Sequence, residues 1–307
     1  MSMFAVPENI QTSVYARLPE ALYRTEQHSA WMARRGAPPA HSFLEGPSFD
    51  RAGNLYVVDI AHGRIFRISP DREWTLFADY DGAPNGLKLH RDGRIFVADY
   101  HQGLVVFDSV TGQRIADEQG RDRHKFNGLN DLTFASNGDL YVTDQGTSGY
   151  EDLSGAVYRL RRTGERDLIF GGLPSPNGLV LNRDETVLHV SLTRSNQVMS
   201  FPLRPDQGGS PRARLFLQLS GSGIGPDGMA VDRDGNIIVT HSGFGTAWGF
   251  SEIGEPLWRV RSAAGLRTTN AAYGGEDGRS LFITESADGV ILTARMPVPG
   301  HTMYGLS

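Results

Sequence analysis

Six polar residues recur at one position of a repeated pattern in this sequence of 307 residues. Each stands eight residues before a Gly or Glu in the following hairpin turn. The polar residues are Glu45, Asn85, Asn130, Asn177, Asp227 and Asn270. The matching turn residues are Gly53, Gly93, Gly138, Glu185, Gly235 and Gly278. All six polar side chains carry an oxygen and two are carboxylates, which are the donors that hard cations such as Ca²⁺ prefer.

Ordinary turns are the competing interpretation of these residues. Asn85, Asn177 and Asp227 each precede Gly, and such pairs are common in turns. Glu45 is a poor turn residue, and the spacing holds in all six copies. The pattern therefore favours a site for one divalent cation. Ca²⁺ is the expected ion and Mn²⁺, Mg²⁺ or Zn²⁺ are alternatives, although a site without Cys or converging His disfavours Zn²⁺.

The repeated unit describes the elements that must position this ring of residues. Each copy has a short apolar strand, a polar hairpin turn, a second strand often ending in an acidic residue, and a third apolar strand. Repeats spaced about 40 to 50 residues apart are typical of propeller blades. The sequence predicts an all-β, six-bladed β-propeller with four antiparallel strands per blade. The first strand of each blade would be innermost, so the six entry residues would meet at one mouth of the channel.

The domain prediction is a single propeller that covers residues 1–307. The six blade repeats occupy residues 45–300, and residues 1–44 form an N-terminal extension. We expect one tail to supply the missing outer strand of the other tail's blade and so close the ring. The stretch 21–41 reads as an ordered surface segment.

Composition excludes several classes of function. Hydrophobic residues at 39% and charged residues at 21% describe a globular chain, and a net charge of −5 gives no reason to expect nucleic acid. There is no cysteine, so disulfides and a cysteine nucleophile are excluded. No Gly-x-Ser-x-Gly elbow is present, so a serine nucleophile on such an elbow is not expected. A small-molecule ligand is expected.

The N-terminus lacks a basic start followed by an apolar run, and no stretch is long enough to span a bilayer. These features predict a cytoplasmic location without membrane association. The oligomeric state is left open.

Four motifs carry a resemblance to a known family. They are LEGPSFD at 44–50, FNGLNDLTFASNGDLYVTD at 126–144, SPNGLVL at 175–181 and GPDGMAVD at 225–232. With these motifs in this order, the sequence resembles the SMP-30/gluconolactonase family of six-bladed lactonases from about residue 44 to residue 295.

The resemblance implies a divalent cation held by Glu45, Asn177 and Asp227, with Asn130 beside it as a ligand or a substrate contact. It also implies lactone hydrolysis by water, with Asp227 as the base and Glu45 as the second choice for that role. Asn85 is not a usual ligand in the family, and neither is the sixth entry residue. We therefore expect Asn85 to form part of the polar channel wall, where it would contact substrate.

The substrate remains open because the sequence departs from one family pattern. Some members place an Arg two residues before the Asn of the ND motif, and this chain has Gly128 there. Asn127 looks like an Asn found at that point in bacterial gluconolactonases and is expected to shape the pocket. The expected substrate is a lactone or a similar small cyclic ester.

The residues at the ends of the second strands include one more candidate site residue. His241 ends the second strand of the fifth copy, where other copies have Asp59, Asp99 and Asp144. His241 is predicted to contact substrate or act as a base, with a purely structural role as the alternative. The three aspartates are predicted to cap turns, and Asp144 is the expected exception because it shares the blade of Asn130.

Two other functions compete with lactone hydrolysis. A polarising cation suits the phosphoryl oxygen of a phosphotriester as well as a carbonyl. The other competitor is a scaffold in which the cation only pins a non-catalytic propeller.

Overall fold

Short runs of Val, Ile, Leu and Phe that alternate with Gly and Asp turns favour strands joined by hairpins. The computed structural model describes residues 5–25, 29–34, 36–204 and 212–307. Its strands form six antiparallel sheets arranged as a six-bladed β-propeller, which confirms the predicted fold. Among the described residues, no helix is both long and apolar enough to cross a membrane.

Two strands precede the first blade, and the first three blades follow in chain order. The two strands are β1 (Glu8–Gln11) and β2 (Ser13–Arg17). Blade one has β3 (Leu44–Phe49), β4 (Leu55–Asp59), β5 (Arg64–Ile68) and β6 (Trp74–Asp79). Blade two has β7 (Pro84–Leu89), β8 (Arg94–Asp99), β9 (Gly103–Asp108) and β10 (Arg114–Ile115). Blade three has β11 (Leu129–Phe134), β12 (Leu140–Asp144), β13 (Gly155–Leu160) and β14 (Arg166–Leu173).

The remaining blades complete the ring. Blade four has β15 (Pro176–Leu181), β16 (Val187–Leu192), β17 (Gln197–Pro202) and β18 (Arg214–Gln218). Blade five has β19 (Gly225–Val231), β20 (Ile237–Ser242), β21 (Thr246–Phe250) and β22 (Pro256–Arg261). Blade six has β23 (Thr268–Gly274), β24 (Ser280–Glu285) and β25 (Val290–Arg295) from the C-terminal part of the chain.

The N-terminal segment closes the ring. Strand β2 pairs antiparallel with β25, with Ser13 opposite Thr293 and Arg17 opposite Val290. Strand β2 is therefore the fourth strand of the last blade. Strand β1 adds a fifth strand to blade five by pairing parallel with β22, which the repeat pattern did not predict.

Helical structure is scarce in the described part of the chain. The α-helix α1 spans Ala30–Arg34. Short 3₁₀ turns occur at Glu20–Leu22, Arg121–Arg123, Thr193–Ser195 and Tyr304–Leu306. Within the segment 21–41, residues 26–28 and 35 lie outside the described residues. Trp31 and Met32 of α1 are buried against Ile60 and Ala83, so this segment packs on loops at the entry-residue end of the first two blades.

Each innermost strand carries an irregularity next to its entry residue. The antiparallel register shifts there in all six blades, for example between Glu45 and Ser48 and between Pro226 and Met229. A bulge inserts an unpaired residue and re-aims the side chains around it. The sixfold repetition of this irregularity explains why polar residues recur at one position of the pattern. It turns that position away from the regular ladder at the channel mouth.

The core lies between the blades rather than inside one layer. Phe66 and Ile68 of blade one pack with Phe282 and Ile291 of blade six, so the first and last blades share a cluster. Side chains on both faces of every sheet are buried in this way. The packing fixes the six innermost strands around the channel.

Candidate metal centre at the channel mouth

The six entry residues lie at the start of the six innermost strands, and each innermost strand contacts its two neighbours around the ring. All six residues are buried, with exposed fractions between 3% for Asn270 and 8% for Asp227. Polar side chains in such a place need partners or a ligand, because an unpaired buried polar group costs free energy.

Three carboxylates share the mouth. Burial first, and then the charges of Asp227 and Asp131, raise the pKa of Glu45 well above its ordinary value. Burial and the nearby Asp131 raise the pKa of Asp227 to about 8. Within the described residues, neither Glu45 nor Asp227 has an ion pair with a Lys, Arg or His. These carboxyl groups resist ionisation by themselves, and a bound cation would stabilise their charged forms.

Hydrogen bonds orient the side-chain amides of Asn177 and Asn130, which lie next to these carboxylates. The Asn177 side-chain N–H donates to Thr193 Oγ1 at 3.0 Å, and the Thr193 hydroxyl donates to the Pro226 carbonyl at 2.9 Å. The Asn130 side-chain N–H donates to Gln145 Oε1 at 3.1 Å. One N–H of each amide is thus engaged, and no described residue donates to the side-chain oxygen of Asn177 or Asn130, so both oxygens remain as acceptors for a ligand. Thr193 and Gln145 are orienting residues that the sequence did not reveal.

A third carboxylate, Asp131, crosses the channel. Asn270 Nδ2 donates to Asp131 Oδ2 at 3.2 Å, and the two residues come from blades three and six, which are opposite in the ring. We call the pair of Asp131 and Asn270 the crossbar. The backbone N–H of Leu132 donates to the other carboxylate oxygen at 2.8 Å.

Small residues make room for the crossbar. The positions equivalent to Asp131 are Gly46, Gly86, Gly178, Gly228 and Ala271. A Cβ atom on Gly86 would lie 2.5 Å from Asp131 Oδ1, and one on Gly228 would lie 2.6 Å from Asn270 Cα. Sequence reasoning missed Asp131, although it is the one large residue at a position that is otherwise Gly or Ala.

A divalent cation fits the donors at this mouth. Within the described part of the chain, no group of three or more His, Cys, Asp or Glu side chains is arranged to hold a metal ion by itself. A cation here would therefore use the two carboxylates of Glu45 and Asp227 together with amide oxygens. Such an oxygen-only set suits Ca²⁺ or Mg²⁺ better than Zn²⁺.

His241 lies on β20 opposite Pro226, the residue before Asp227. It is 1% exposed, and its ring stacks on Phe244 with centroids 5.2 Å apart. The indole N–H of Trp248 donates to His241 Nδ1 at 3.3 Å, so a neutral ring carries its proton on Nε2. Nε2 is buried and finds no hydrogen-bond partner within the described residues. Burial lowers the pKa of His241, which favours the neutral ring.

Two other predicted contacts have different surroundings. Asn85 is buried at the mouth, and its side chain makes no hydrogen bond to any residue that the structure describes. Asn127 is exposed, and its backbone N–H donates to Asp144 Oδ2 at 3.1 Å. The ring of Tyr100 packs against Gly128, where a Cβ atom would lie 2.8 Å from the ring. The ring of Tyr100 therefore occupies the space that a side chain at position 128 would need.

The recurring acids at strand ends cap the loops that lead into the innermost strands. Asp59 accepts from the N–H of Phe43 at 2.7 Å, and Asp99 accepts from the N–H of Ala83 at 2.9 Å. Asp144 makes the same kind of contact with the N–H of Gly128 at 2.8 Å. The capping role is confirmed, and the expectation that Asp144 would be the exception is wrong.

The chain is similar in sequence to known proteins. Residues 43–287 match the model of the SMP-30/Gluconolactonase/LRE-like region. The chain belongs to this family. A gluconolactonase from Zymomonas mobilis is 31% identical over 272 residues, which is 79% of this chain and 76% of that protein. A protein named lactonase drp35 from Staphylococcus aureus is 30% identical over 234 residues, which is 71% of this chain and 69% of that protein.

Solved structures share the fold. A calcium-binding protein, regucalcin, from Agrobacterium tumefaciens superposes with a TM-score of 0.77 at 20% identity, covering 97% of this chain and 98% of that one. A gluconolactonase from Xanthomonas campestris superposes with a TM-score of 0.69 at 23% identity, covering 83% of this chain and 86% of that one. Both likenesses concern the propeller fold.

Proposed function

We propose that this chain is a metal-dependent lactonase, with Glu45, Asn177 and Asp227 holding the cation and Asn130 beside it. The observation that carries the proposal is the pair of buried carboxylates, Glu45 and Asp227, without a cationic partner in the described residues. The gluconolactonase and lactonase relatives, at 31% and 30% identity, support a lactone as the substrate class. Ca²⁺ is the proposed ion, and Mn²⁺, Mg²⁺ and Zn²⁺ are the alternatives to compare with it.

When bound, a divalent cation supplies Lewis acidity toward a carbonyl oxygen and lowers the pKa of bound water. Asp227 is the proposed base. In the reaction, the water oxygen bonds to the carbonyl carbon while Asp227 takes a water proton. The ring C–O bond then breaks, and the leaving oxygen receives that proton to give a hydroxy acid. Glu45 stays ionised as a ligand throughout.

The remaining residues orient the substrate. Asn130 and Asn85 present amide groups to the mouth, and Asn127 lies at its exposed rim. His241 would use its unpaired Nε2–H to donate a hydrogen bond to a substrate oxygen, which would satisfy a buried donor. Tyr100 beside Gly128 presents an apolar ring where a charged side chain would otherwise stand. We therefore propose a lactone whose ring has an apolar edge.

A panel of γ- and δ-lactones tests the reaction class. Hydrolysis is followed by proton release with chelator and then with added Ca²⁺, Mn²⁺, Mg²⁺ or Zn²⁺, and an aryl phosphotriester is the comparison substrate. The proposal expects metal-dependent lactone opening that exceeds phosphotriester hydrolysis. Faster phosphotriester turnover would assign the other reaction, and no turnover with any metal would support the scaffold role.

Asp227→Asn tests the base. The variant keeps the volume of the side chain and an amide oxygen, and we expect turnover to fall at least a thousandfold while the fold is retained. Asp234→Asn is the matched control, because Asp234 is exposed in the hairpin at the other end of the same strand. Full activity of Asp227→Asn would remove Asp227 from the mechanism.

A further inference from the structure

A cavity lies at the other end of the channel from the candidate metal centre. Its volume is about 300 Å³, at the lower end of the range for small-molecule sites. Its walls come from the later residues of the innermost strands, from Ser48 in blade one to Tyr273 in blade six. The crossbar of Asp131 and Asn270 precedes these residues on the strands.

The C-terminal strap, defined as residues 301–307, forms one wall of this cavity. It is tied to several blades. The N–H of His301 donates to the Val231 carbonyl at 3.0 Å, and Arg51 donates to the Ser307 carbonyl at 2.8 Å. The ring of Tyr304 stacks on Phe134 with centroids 5.0 Å apart. These contacts hold the C-terminal strap in place as a wall of the cavity.

Polar groups without hydrogen-bond partners converge on one side of the cavity. Ser48, Lys88 and Thr133 stand three residues after the entry residues of blades one, two and three, and all three line the cavity. None of their side chains makes a hydrogen bond or ion pair with another residue that the structure describes. Ser48 is 2% exposed, so its free hydroxyl is almost wholly buried.

The opposite side of the cavity is apolar. The equivalent positions of blades four, five and six hold Val180, Ala230 and Tyr273, and Leu179 and Met229 extend this wall. Glu185 also lines the cavity and its carboxylate accepts from the Ser136 hydroxyl at 2.7 Å, whereas the Lys88 ammonium and the hydroxyls of Ser48 and Thr133 face hydrocarbon and aromatic surface across the cavity. This chemistry matches an amphipathic molecule with one negative charge.

We propose that the far end of the channel is a binding site for a small monocarboxylic acid with an apolar body. Lys88, Ser48 and Thr133 hold the carboxylate, and the walls of blades four to six hold the apolar body. A charge-assisted hydrogen bond from an ammonium to a carboxylate is stronger than a neutral one, and it would satisfy the unpaired donors. The proposal stands independently of lactone hydrolysis, since it involves no candidate metal ligand.

A single charge fits this site better than a dianion such as phosphate. Lys88 is the one basic side chain among the lining residues apart from His301. The Asp131 carboxylate also lies near Lys88, whose charge counteracts the effect of burial on the pKa of Asp131. A second negative charge on the ligand would meet that carboxylate without a second cation.

The test uses octanoate as the probe and the full chain. Calorimetric titration is expected to show one octanoate per chain, and 1-octanol, which lacks the charge, is expected to bind at least tenfold more weakly. In Lys88→Met, octanoate affinity is expected to fall at least tenfold while 1-octanol binding is unchanged. The chain has only two lysines, and exposed Lys125 supplies the matched control Lys125→Met.

Thr133→Val serves as a second variant because it keeps the shape of the side chain and removes one hydroxyl. It is expected to weaken octanoate binding severalfold and to leave 1-octanol binding unchanged. Equal octanoate affinity in wild type, Lys88→Met and Thr133→Val would overturn the proposal, as would absence of octanoate binding to the wild type. Loss of octanoate binding in Lys125→Met would place the anion elsewhere and would also overturn it.

Discussion

Gly178→Ala tests whether close packing of the innermost strands sets the geometry of the candidate metal centre. Gly178 follows Asn177 on β15, and an added Cβ would lie 2.6 Å from the Cα of Gly228 on β19. The nearest obstructing atom is the Asp227 carbonyl oxygen at 2.4 Å, and ordinary contacts begin at 3.4 Å, so the two strands must separate by about 1.0 Å. The obstructing atoms are backbone, and no change of rotamer relieves the clash.

This separation moves Asn177 away from Asp227, the two candidate ligands on β15 and β19. Metal ligands must hold their distances to within about 0.2 Å, so a shift of this size exceeds the tolerance of the site. We expect Ca²⁺ affinity to fall sharply and lactone turnover to fall about a hundredfold, since a displacement near 1 Å has that effect on catalytic groups. Overpacking is expected to cost about 1–3 kcal/mol of unfolding free energy.

Calcium titration calorimetry, lactone turnover and urea unfolding measure these three effects. Gly171→Ala is the matched control, because a Cβ there meets only the methyl groups of Leu168 at 3.9 Å. Wild-type Ca²⁺ affinity and turnover in Gly178→Ala would refute the reasoning. An equal loss in Gly171→Ala would show that the effect does not come from the channel.

Three further predictions concern stability and are each measured by urea unfolding. Arg64→Met is expected to cost about 3–5 kcal/mol, because it leaves the buried carboxylate of Asp59 without its ion pair, and the conservative Arg67→Met on the same strand is the control. Burial lowers the pKa of His189 to about 4, so the unfolded chain takes up a proton that the folded chain excludes. Stability is therefore expected to fall by about 1.4 kcal/mol per pH unit from pH 6.5 down to 4, and His189→Leu is expected to flatten that loss. Deletion of residues 1–18 removes β2 from the last blade and is expected to lower the unfolding midpoint strongly, whereas deletion of residues 1–7 leaves the ring closed.

Most of the fold could be predicted from the repeated sequence pattern. Alternating apolar residues and turn residues predicted six blades, and a missing outer strand predicted the closure that β2 provides. The parallel pairing of β1 with β22 was not predictable, because Glu8–Gln11 has no partner encoded nearby in sequence. Pairing between strands so distant in the chain depends on the finished ring.

Only part of the candidate site could be predicted from the sequence. The entry residues follow from spacing, because a repeated backbone irregularity places them alike in every blade. Thr193 and Gln145 could not be inferred, since they orient Asn177 and Asn130 through contacts between separate loops. Asp131 left a signal as the one acid at a Gly or Ala position, but its role requires knowing that Asn270 lies across the channel.

The central claim is that one cation at Glu45, Asn177 and Asp227 makes this chain a lactonase. The most direct measurement is a paired titration of chelator-treated protein with Ca²⁺, in which heat of binding and lactone-opening rate are recorded at each addition. Both signals are expected to saturate together at one Ca²⁺ per chain, and both are expected to be lost in Glu45→Gln. Lactone opening at full rate before any metal is added, or binding that saturates without activity under every metal tried, would contradict the account.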